Sequence, residues 1–192
     1  MAVTAVKSPY LRWLATALAG SETSCLDGAP GGENIVLGYA TGYDVADVAI
    51  FVRSLRSHYK GPVALVVDNN PELRAFLFAH DIEAVDAPKI CGKGWLPNAV
   101  VSRFAGFDAL LRERPWVRHA FLTDVRDVVF QGDPFAEPLE RLEFFAECEK
   151  PLASHAFNMK YLRAVAGDCL AQVVADKACI CVGTVMGQRE DL

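Results

Sequence analysis

The sequence lacks a long apolar run, a long basic run and any cysteine pair with CxxC spacing. A helix that crosses a bilayer needs roughly 18 or more apolar residues in a row, so we expect no transmembrane segment. The lack of basic runs, with a net charge of -5, argues against nucleic acid as the main partner. The chain is nevertheless 52% hydrophobic over 192 residues, which suffices for one buried core and excludes a largely disordered protein.

The missing CxxC spacing leaves a zinc site with little support, although six cysteines are present. None of the four histidines has the spacing of a metal ligand either. The apolar residues 10–19 are interrupted by Arg12 and Thr16, which does not fit a secretory signal, and they predict a short docking helix. Without a signal that directs the chain to an oxidising compartment, we expect reduced thiols and a cytoplasmic location.

Apolar runs of strand length alternate with segments of helical spacing from residue 34 onward. The predicted strands span residues 34–40, 63–68, 82–85, 120–123, 142–146 and 179–186. The predicted helices span residues 45–59, 71–80, 98–113 and 156–175. This alternation is typical of βαβ units. We therefore predict an α/β fold with three α/β/α layers and a mostly parallel, Rossmann-related, nucleotide-binding sheet.

The predicted domain comprises residues 34–192 and follows an N-terminal helix and linker of residues 1–33. The linker is inferred from the residues rich in Gly, Ser and Pro that precede the first strand. The sequence stops just after the last predicted strand, which would leave apolar sheet surface uncovered. We therefore expect the domain to be truncated at its C-terminus.

Acidic residues stand where predicted strands end. Asp124 and Asp127 follow the fourth strand, and Asp68 ends the second. Ligands of parallel α/β sheets bind beyond the carboxyl ends of the strands. Mg²⁺ and Mn²⁺ bind there through one or two carboxylates and substrate phosphate oxygens. The spacing thus favours a metal and diphosphate site at Asp124 and Asp127. The alternative is a turn cap at Asp124 and a surface ion pair of Asp127 with Arg118 or Arg126.

Residues 121–135 read FLTDVRDVVFQGDPF and resemble the DxD strand of GT-A glycosyltransferases, in particular family-8-like retaining members. Residues 40–43, 51–56 and 177–187 are similar, in the same order, to other segments of that family. The resemblance covers residues 34–192 and implies a GT-A-like fold, a nucleotide-sugar donor and Mn²⁺ or Mg²⁺. The chain departs from the family in its Asp-x-x-Asp spacing and in Val182, where members often have Ser. No counterpart of the family's C-terminal metal-binding histidine is assignable.

The resemblance also implies roles for residues outside the acidic motif. Arg103, on the helix before that motif, would contact the diphosphate through its fixed fork of donors. The place of Asp68 at the end of the second predicted strand, rather than the resemblance, predicts that it accepts a hydrogen bond from the base or ribose. The nucleobase would be contacted by the residues that follow the first strand: Thr41, Gly42 and Tyr43. The alternative for Arg103 is an exposed arginine that pairs with a neighbouring acid, and the alternative for Asp68 is a turn residue. The alternative for residues 41–43 is a helix N-terminus capped by Asp44.

The function expected from the resemblance is transfer of a hexosyl or similar group from a nucleoside-diphosphate sugar to an acceptor hydroxyl, with a divalent metal. No catalytic residue is identified, although Glu147, at a strand end, is a candidate base or sugar contact. The sugar, nucleotide and acceptor remain unassigned. The alternatives are a catalytically silent nucleotide-binding or scaffold domain, and a nucleotidyltransferase on a similar sheet.

Overall fold

The computed structural model describes residues 33–87 and 99–192. These residues contain six strands: β1 Glu33–Ala40, β2 Val63–Val67, β3 Glu83–Asp86, β4 Val117–Thr123, β5 Glu143–Pro151 and β6 Ala178–Gln188. They also contain four α-helices: α1 Val45–His58, α2 Pro71–Ala79, α3 Ala99–Arg112 and α4 Ala156–Val173. A short 3₁₀ helix, Leu152–Ser154, precedes α4. None of the helices in the described ranges is long and apolar enough to span a bilayer.

All the strands and helices predicted within the described ranges are present. β4 begins at Val117 rather than at residue 120, and β5 continues to Pro151 rather than ending at residue 146. The predicted N-terminal helix and most of the linker lie outside the described residues, as does the proposed helix cap at Asn98.

The strands follow the order β3-β2-β1-β4-β6-β5. β1 pairs in parallel with β2 and with β4, and β2 pairs in parallel with β3. β6 pairs antiparallel with β4. The fold is therefore α/β with a mixed, mostly parallel sheet, consistent with a Rossmann-like fold and with the sequence prediction. The finer GT-A assignment remains a prediction.

The described chain divides into two compact units. The larger unit contains residues 33–87, 99–144 and 182–192, and the smaller unit contains residues 145–181. Each is described separately below.

Two apolar clusters cover the two faces of the strands in the larger unit. Successive side chains of a strand point to opposite faces, so β1 contributes to both clusters. Val36 and Ala40 pack with the buried residues of α1 and α2. Ile35 and Leu37 pack with Phe107 and its neighbours on α3. Helices therefore lie on both faces of this part of the sheet, as the three-layer prediction requires.

Helix caps fix the turns that connect these strands to their helices. Asp44 accepts hydrogen bonds from the backbone N–H groups of Ala46 at 2.7 Å and Asp47 at 3.1 Å. The Asp47 carboxylate accepts in return from the Asp44 N–H, which completes a capping box. Asn70 caps α2 in a similar way, with Pro71 at the first helical position. α1 and α2 thus begin close to the carboxyl ends of β1 and β2.

The smaller unit consists of most of β5, the 3₁₀ helix, α4 and the first residues of β6. The Leu152 N–H donates to the Lys177 carbonyl at 2.8 Å, and the Ala153 N–H donates to the Ala175 carbonyl at 2.8 Å. α4 is interrupted at Gly167, whose φ of +84° favours glycine. These backbone bonds hold the segment after β5 against the segment before β6.

Candidate functional site

The larger unit brings together the residues that follow β1, β2 and β4, three neighbouring parallel strands. The Asp68 carboxylate, after β2, accepts a hydrogen bond from the backbone N–H of Gly42, after β1. Gly42 has a φ of +79°, a conformation that side-chain-bearing residues rarely adopt. The guanidinium of Arg126, after β4, lies 6.0 Å from the centre of the Tyr43 ring. Four residues from three strand ends therefore form one polar edge.

Asp124 is held from two sides at this edge. Its carboxylate Oδ1 forms an ion pair with Nη1 of Arg103 on α3. Its backbone N–H donates to the Gly183 carbonyl on β6 at 2.7 Å. A Cβ atom at position 183 would lie 2.0 Å from Asp124 Oδ2, far inside contact distance. A glycine at position 183 therefore makes room for the Asp124 carboxylate.

Arg103 is buried, with 8% of its surface exposed, although it carries a permanent charge. Its Nε atom is buried and has no hydrogen-bond partner among the described residues. Its guanidinium carbon lies 5.2 Å from the centre of the Phe104 ring, a cation–π distance. Burying a charged group and leaving one of its hydrogen-bond donors without a partner costs free energy. An arginine that served only to form a structural ion pair would normally have all its buried donors satisfied. The Asp124 contact accounts for only part of the donor capacity of Arg103.

Two opposing influences set the charge of Asp124. Burial raises the pKa of this carboxyl and the nearby Asp127 raises it further, whereas Arg103 lowers it. The net result is a pKa above the ordinary value, so a second positive charge at this edge would stabilise the ionised form. A divalent cation fits this requirement, and the two carboxylates are ligands of the kind that Mg²⁺ and Mn²⁺ use.

Asp127 is exposed and takes part in no ion pair among the described residues. Arg126 pairs instead with Asp47, with its Nε 3.7 Å from Asp47 Oδ1. The alternative in which Asp127 pairs with Arg118 or Arg126 is therefore not seen. Thr41 lies next to this edge and makes no side-chain hydrogen bond within the described residues. Both side chains are thus available to a ligand.

A cavity of about 1570 Å³ lies in the larger unit, at the opposite edge of the sheet. It is lined by the beginnings of β1, β2 and β3 and by residues 135–139. We place the candidate site at the carboxyl edge instead, because Asp124, the nearby Asp127 and the buried Arg103 are there. The rule for ligand binding in open α/β sheets favours the same edge.

A second polar cluster lies in the smaller unit and was missed by the sequence analysis. Glu147 on β5, His155 after the 3₁₀ helix and Cys179 on β6 each offer one ligand atom, and these atoms lie within 4.8 Å of one another. Burial and the Glu147 carboxylate raise the pKa of the Cys179 thiol, and a hydrogen bond from Asn158 lowers it. Glu147 alone was a candidate from its place at a strand end. His155 follows 8 residues later and Cys179 32 residues later, a spacing that matches no metal-binding motif.

Comparisons with known proteins do not identify a family for this chain, so the assignment of a function depends on the residues described above. The chain matches no protein-family model, and a search of curated proteins finds no match.

Proposed function

We propose that the larger unit binds a nucleoside-diphosphate sugar at the carboxyl ends of β1, β2 and β4, and that the protein transfers the glycosyl group to an acceptor hydroxyl. The proposal rests above all on one observation, the Asp124 carboxylate placed between buried Arg103 and Gly183. A buried guanidinium paired with the Asp124 carboxylate, with Asp127 near that carboxylate, suits a diphosphate with a bound cation. The sequence resemblance to GT-A glycosyltransferases points to the same chemistry.

Asp127, Asp124 and Arg103 would have different roles in binding the cation and the diphosphate. Asp127 is exposed and forms no ion pair with the described residues, so it would be the freer ligand for Mn²⁺ or Mg²⁺, with Asp124 nearby. The cation, when bound, would neutralise the charge that grows on the departing nucleoside diphosphate. Arg103 would add a fixed positive charge. Asp124 would orient that arginine through their ion pair.

The nucleoside would lie beside the turn that follows β1. Asp68 fixes this turn by accepting from the Gly42 N–H. The turn presents Tyr43, whose ring already lies against the Arg126 guanidinium and would stack on a base. Thr41 would add a hydroxyl hydrogen bond. Because the Asp68 carboxylate already holds Gly42, we assign it the positioning of the turn, with contact to the base or ribose through its remaining lone pairs.

Thermal unfolding with nucleoside diphosphates and nucleotide sugars, with and without Mn²⁺, tests donor binding. A ligand at a hundredfold its Kd should stabilise the fold by about 2.7 kcal/mol, since it binds only the folded state. We expect the Mn²⁺-dependent part of this shift to disappear in Asp127→Asn. Glu140→Gln removes another exposed carboxylate from the segment between β4 and β5 and should behave like the wild type.

A second variant tests the placement of Asp124 without removing it. Gly183→Ala would place a Cβ 2.0 Å from Asp124 Oδ2, so the carboxylate has to shift and its ion pair with Arg103 would be disturbed. We expect the apparent affinity for the nucleotide, measured from its stabilisation of the fold, to fall at least tenfold. Gly132→Ala, where a Cβ meets no atom within 4 Å, should retain the wild-type affinity.

A folded wild-type protein that no nucleotide stabilises would refute the donor site. Donor binding without release of nucleoside diphosphate in the presence of candidate acceptors would instead favour a binding domain.

A further inference from the structure

The smaller unit contains a cluster of mixed ligand types that has no part in the proposed donor site. The Cys179 Sγ lies 3.3 Å from Glu147 Oε2. The His155 ring offers a nitrogen to the same point, with all three ligand atoms within 4.8 Å of one another. β5, the residue after the 3₁₀ helix and β6 each contribute one of these side chains, so the fold converges on this point from three separate elements.

The separations fit ligands that share one zinc ion. Zn–S and Zn–O bonds of about 2.3 and 2.1 Å at a tetrahedral angle place the two ligand atoms about 3.6 Å apart. The observed 3.3 Å between sulfur and carboxylate oxygen requires only a small adjustment. The remaining pairs have to contract modestly from at most 4.8 Å. Thiolate and imidazole ligands favour zinc over the Mg²⁺ or Mn²⁺ that suit an all-carboxylate site.

A neighbouring amide is placed to orient two of the ligands. Asn158 Nδ2 donates to Cys179 Sγ at 2.8 Å and to Glu147 Oε2 at 3.2 Å. Hydrogen bonds of this kind to metal ligands fix their orientation and are part of most metal centres. The ligands differ in exposure: Cys179 is 1% exposed, whereas Glu147 is exposed to solvent. A metal ion would thus have an entry path from the Glu147 side.

We propose that Glu147, His155 and Cys179 bind a zinc ion, with a fourth position open to water. Cys148 lies close to His155, with its Sγ 3.3 Å from His155 Nε2. The site would join β5, the segment before α4 and β6 within the smaller unit. Binding would release the Cys179 thiol proton to solvent, since the thiolate is the metal ligand. This proposal is independent of the donor site.

Metal titration of the full chain tests the proposal. The chelator-treated protein is titrated with Zn²⁺ in competition with a chromophoric chelator, and separately with Co²⁺, whose thiolate complexes absorb in the near ultraviolet. We expect one tightly bound zinc per chain and a sulfur-to-cobalt band. Cys179→Ser should abolish the band, and His155→Gln and Glu147→Gln should each weaken zinc binding at least tenfold. Asn158→Ala should weaken it by about 10–100-fold.

Matched variants separate this site from other metal binding. Cys169→Ser removes an exposed thiol on α4, and Glu149→Gln removes an exposed carboxylate on β5, so both should bind zinc like the wild type. Asp127→Asn should also leave zinc binding unchanged. Zinc binding that is weak and of variable stoichiometry, or that survives in both Cys179→Ser and His155→Gln, would overturn the proposal. If Cys179→Ser misfolds, the two variants at the less buried His155 and Glu147 decide the question.

Discussion

The two units of the chain differ in what fills their interiors. In the larger unit, β2 is completely buried and every large residue of the two apolar clusters packs against others. In the described smaller unit, the apolar residues that are buried are only Met159, Ala171 and Cys179. Several of its large apolar side chains are exposed instead, including Phe157 at 71%. Apolar burial therefore accounts for the first unit, while the described part of the second contains few buried apolar residues and one polar cluster.

The difference suggests why a metal ion that stabilises the fold would matter in the smaller unit and not in the larger one. A small unit with few buried apolar residues gains little free energy from the hydrophobic effect. Polypeptides in that situation often use a metal ion or a disulfide instead, because metal-binding free energy is available to the fold. The larger unit has no such need, and its carboxylates at the strand ends remain available to a ligand.

The largest expected effect comes from truncating matched phenylalanines in the two units. Phe51 is 1% exposed and lies edge-on to Phe130, with ring centres 5.4 Å apart. Phe51→Ala should lower the free energy of unfolding by about 3–5 kcal/mol, through lost burial and the cavity left behind. Phe157→Ala should change it by less than about 0.5 kcal/mol. Denaturant unfolding followed by circular dichroism measures both, and equal losses would contradict the comparison.

A smaller effect should follow from adding one methyl group inside the larger unit. A Cβ at Gly38 on β1 would lie 2.4 Å from Val125 Cγ1 and 2.5 Å from Leu65 Cδ2. Gly38→Ala should cost about 1–3 kcal/mol, because the packed interior has to shift to accommodate it. The control is Gly132→Ala, which meets open space. Similar unfolding midpoints for the two variants in urea would show that this interior is looser than described.

The smallest effect concerns the pH dependence of the larger unit. Burial and the neighbouring Arg118 lower the pKa of His119, which lies 2.9 Å from the Asn34 side chain on β1. The unfolded chain takes up this proton near pH 6.5 and the folded chain at lower pH, so stability should fall as the pH drops below about 6.5. His119→Gln should flatten this part of the profile, and His58→Gln, at an exposed position, serves as the control. Identical pH profiles for all three proteins would remove His119 as the cause.

The sequence allowed prediction of those elements whose residues must be buried. β1 and β2 form continuous apolar runs, and the stripe of α1 follows helical spacing, so both kinds of element were found. The beginning of β4 was missed because exposed Arg118 stands between buried Val117 and His119. The end of β5 was missed because the strand is largely exposed, with no alternation of apolar and polar residues to reveal it.

The residues of the candidate donor site could be predicted from the sequence, but the contacts between them could not. The resemblance pointed to Asp124 and Arg103, and the structure shows them paired. The need for glycine at position 183 depends on β6 lying antiparallel beside β4, which no local pattern reveals. The same holds for the cluster of Glu147, His155 and Cys179, since sequence spacing does not show which strands become neighbours.

The central position of β1 has a consequence for synthesis of the protein. β1 lies between β2 and β4, and its partner on the second side, Val117–Thr123, is about 80 residues further along the chain. At roughly 5–20 residues per second, translation reaches that partner some 4–16 s after β1 is made. During this interval one edge of an apolar strand has unpaired N–H and C=O groups, which invites pairing with other chains. We therefore expect the nascent protein to be most prone to aggregation before β4 has left the ribosome.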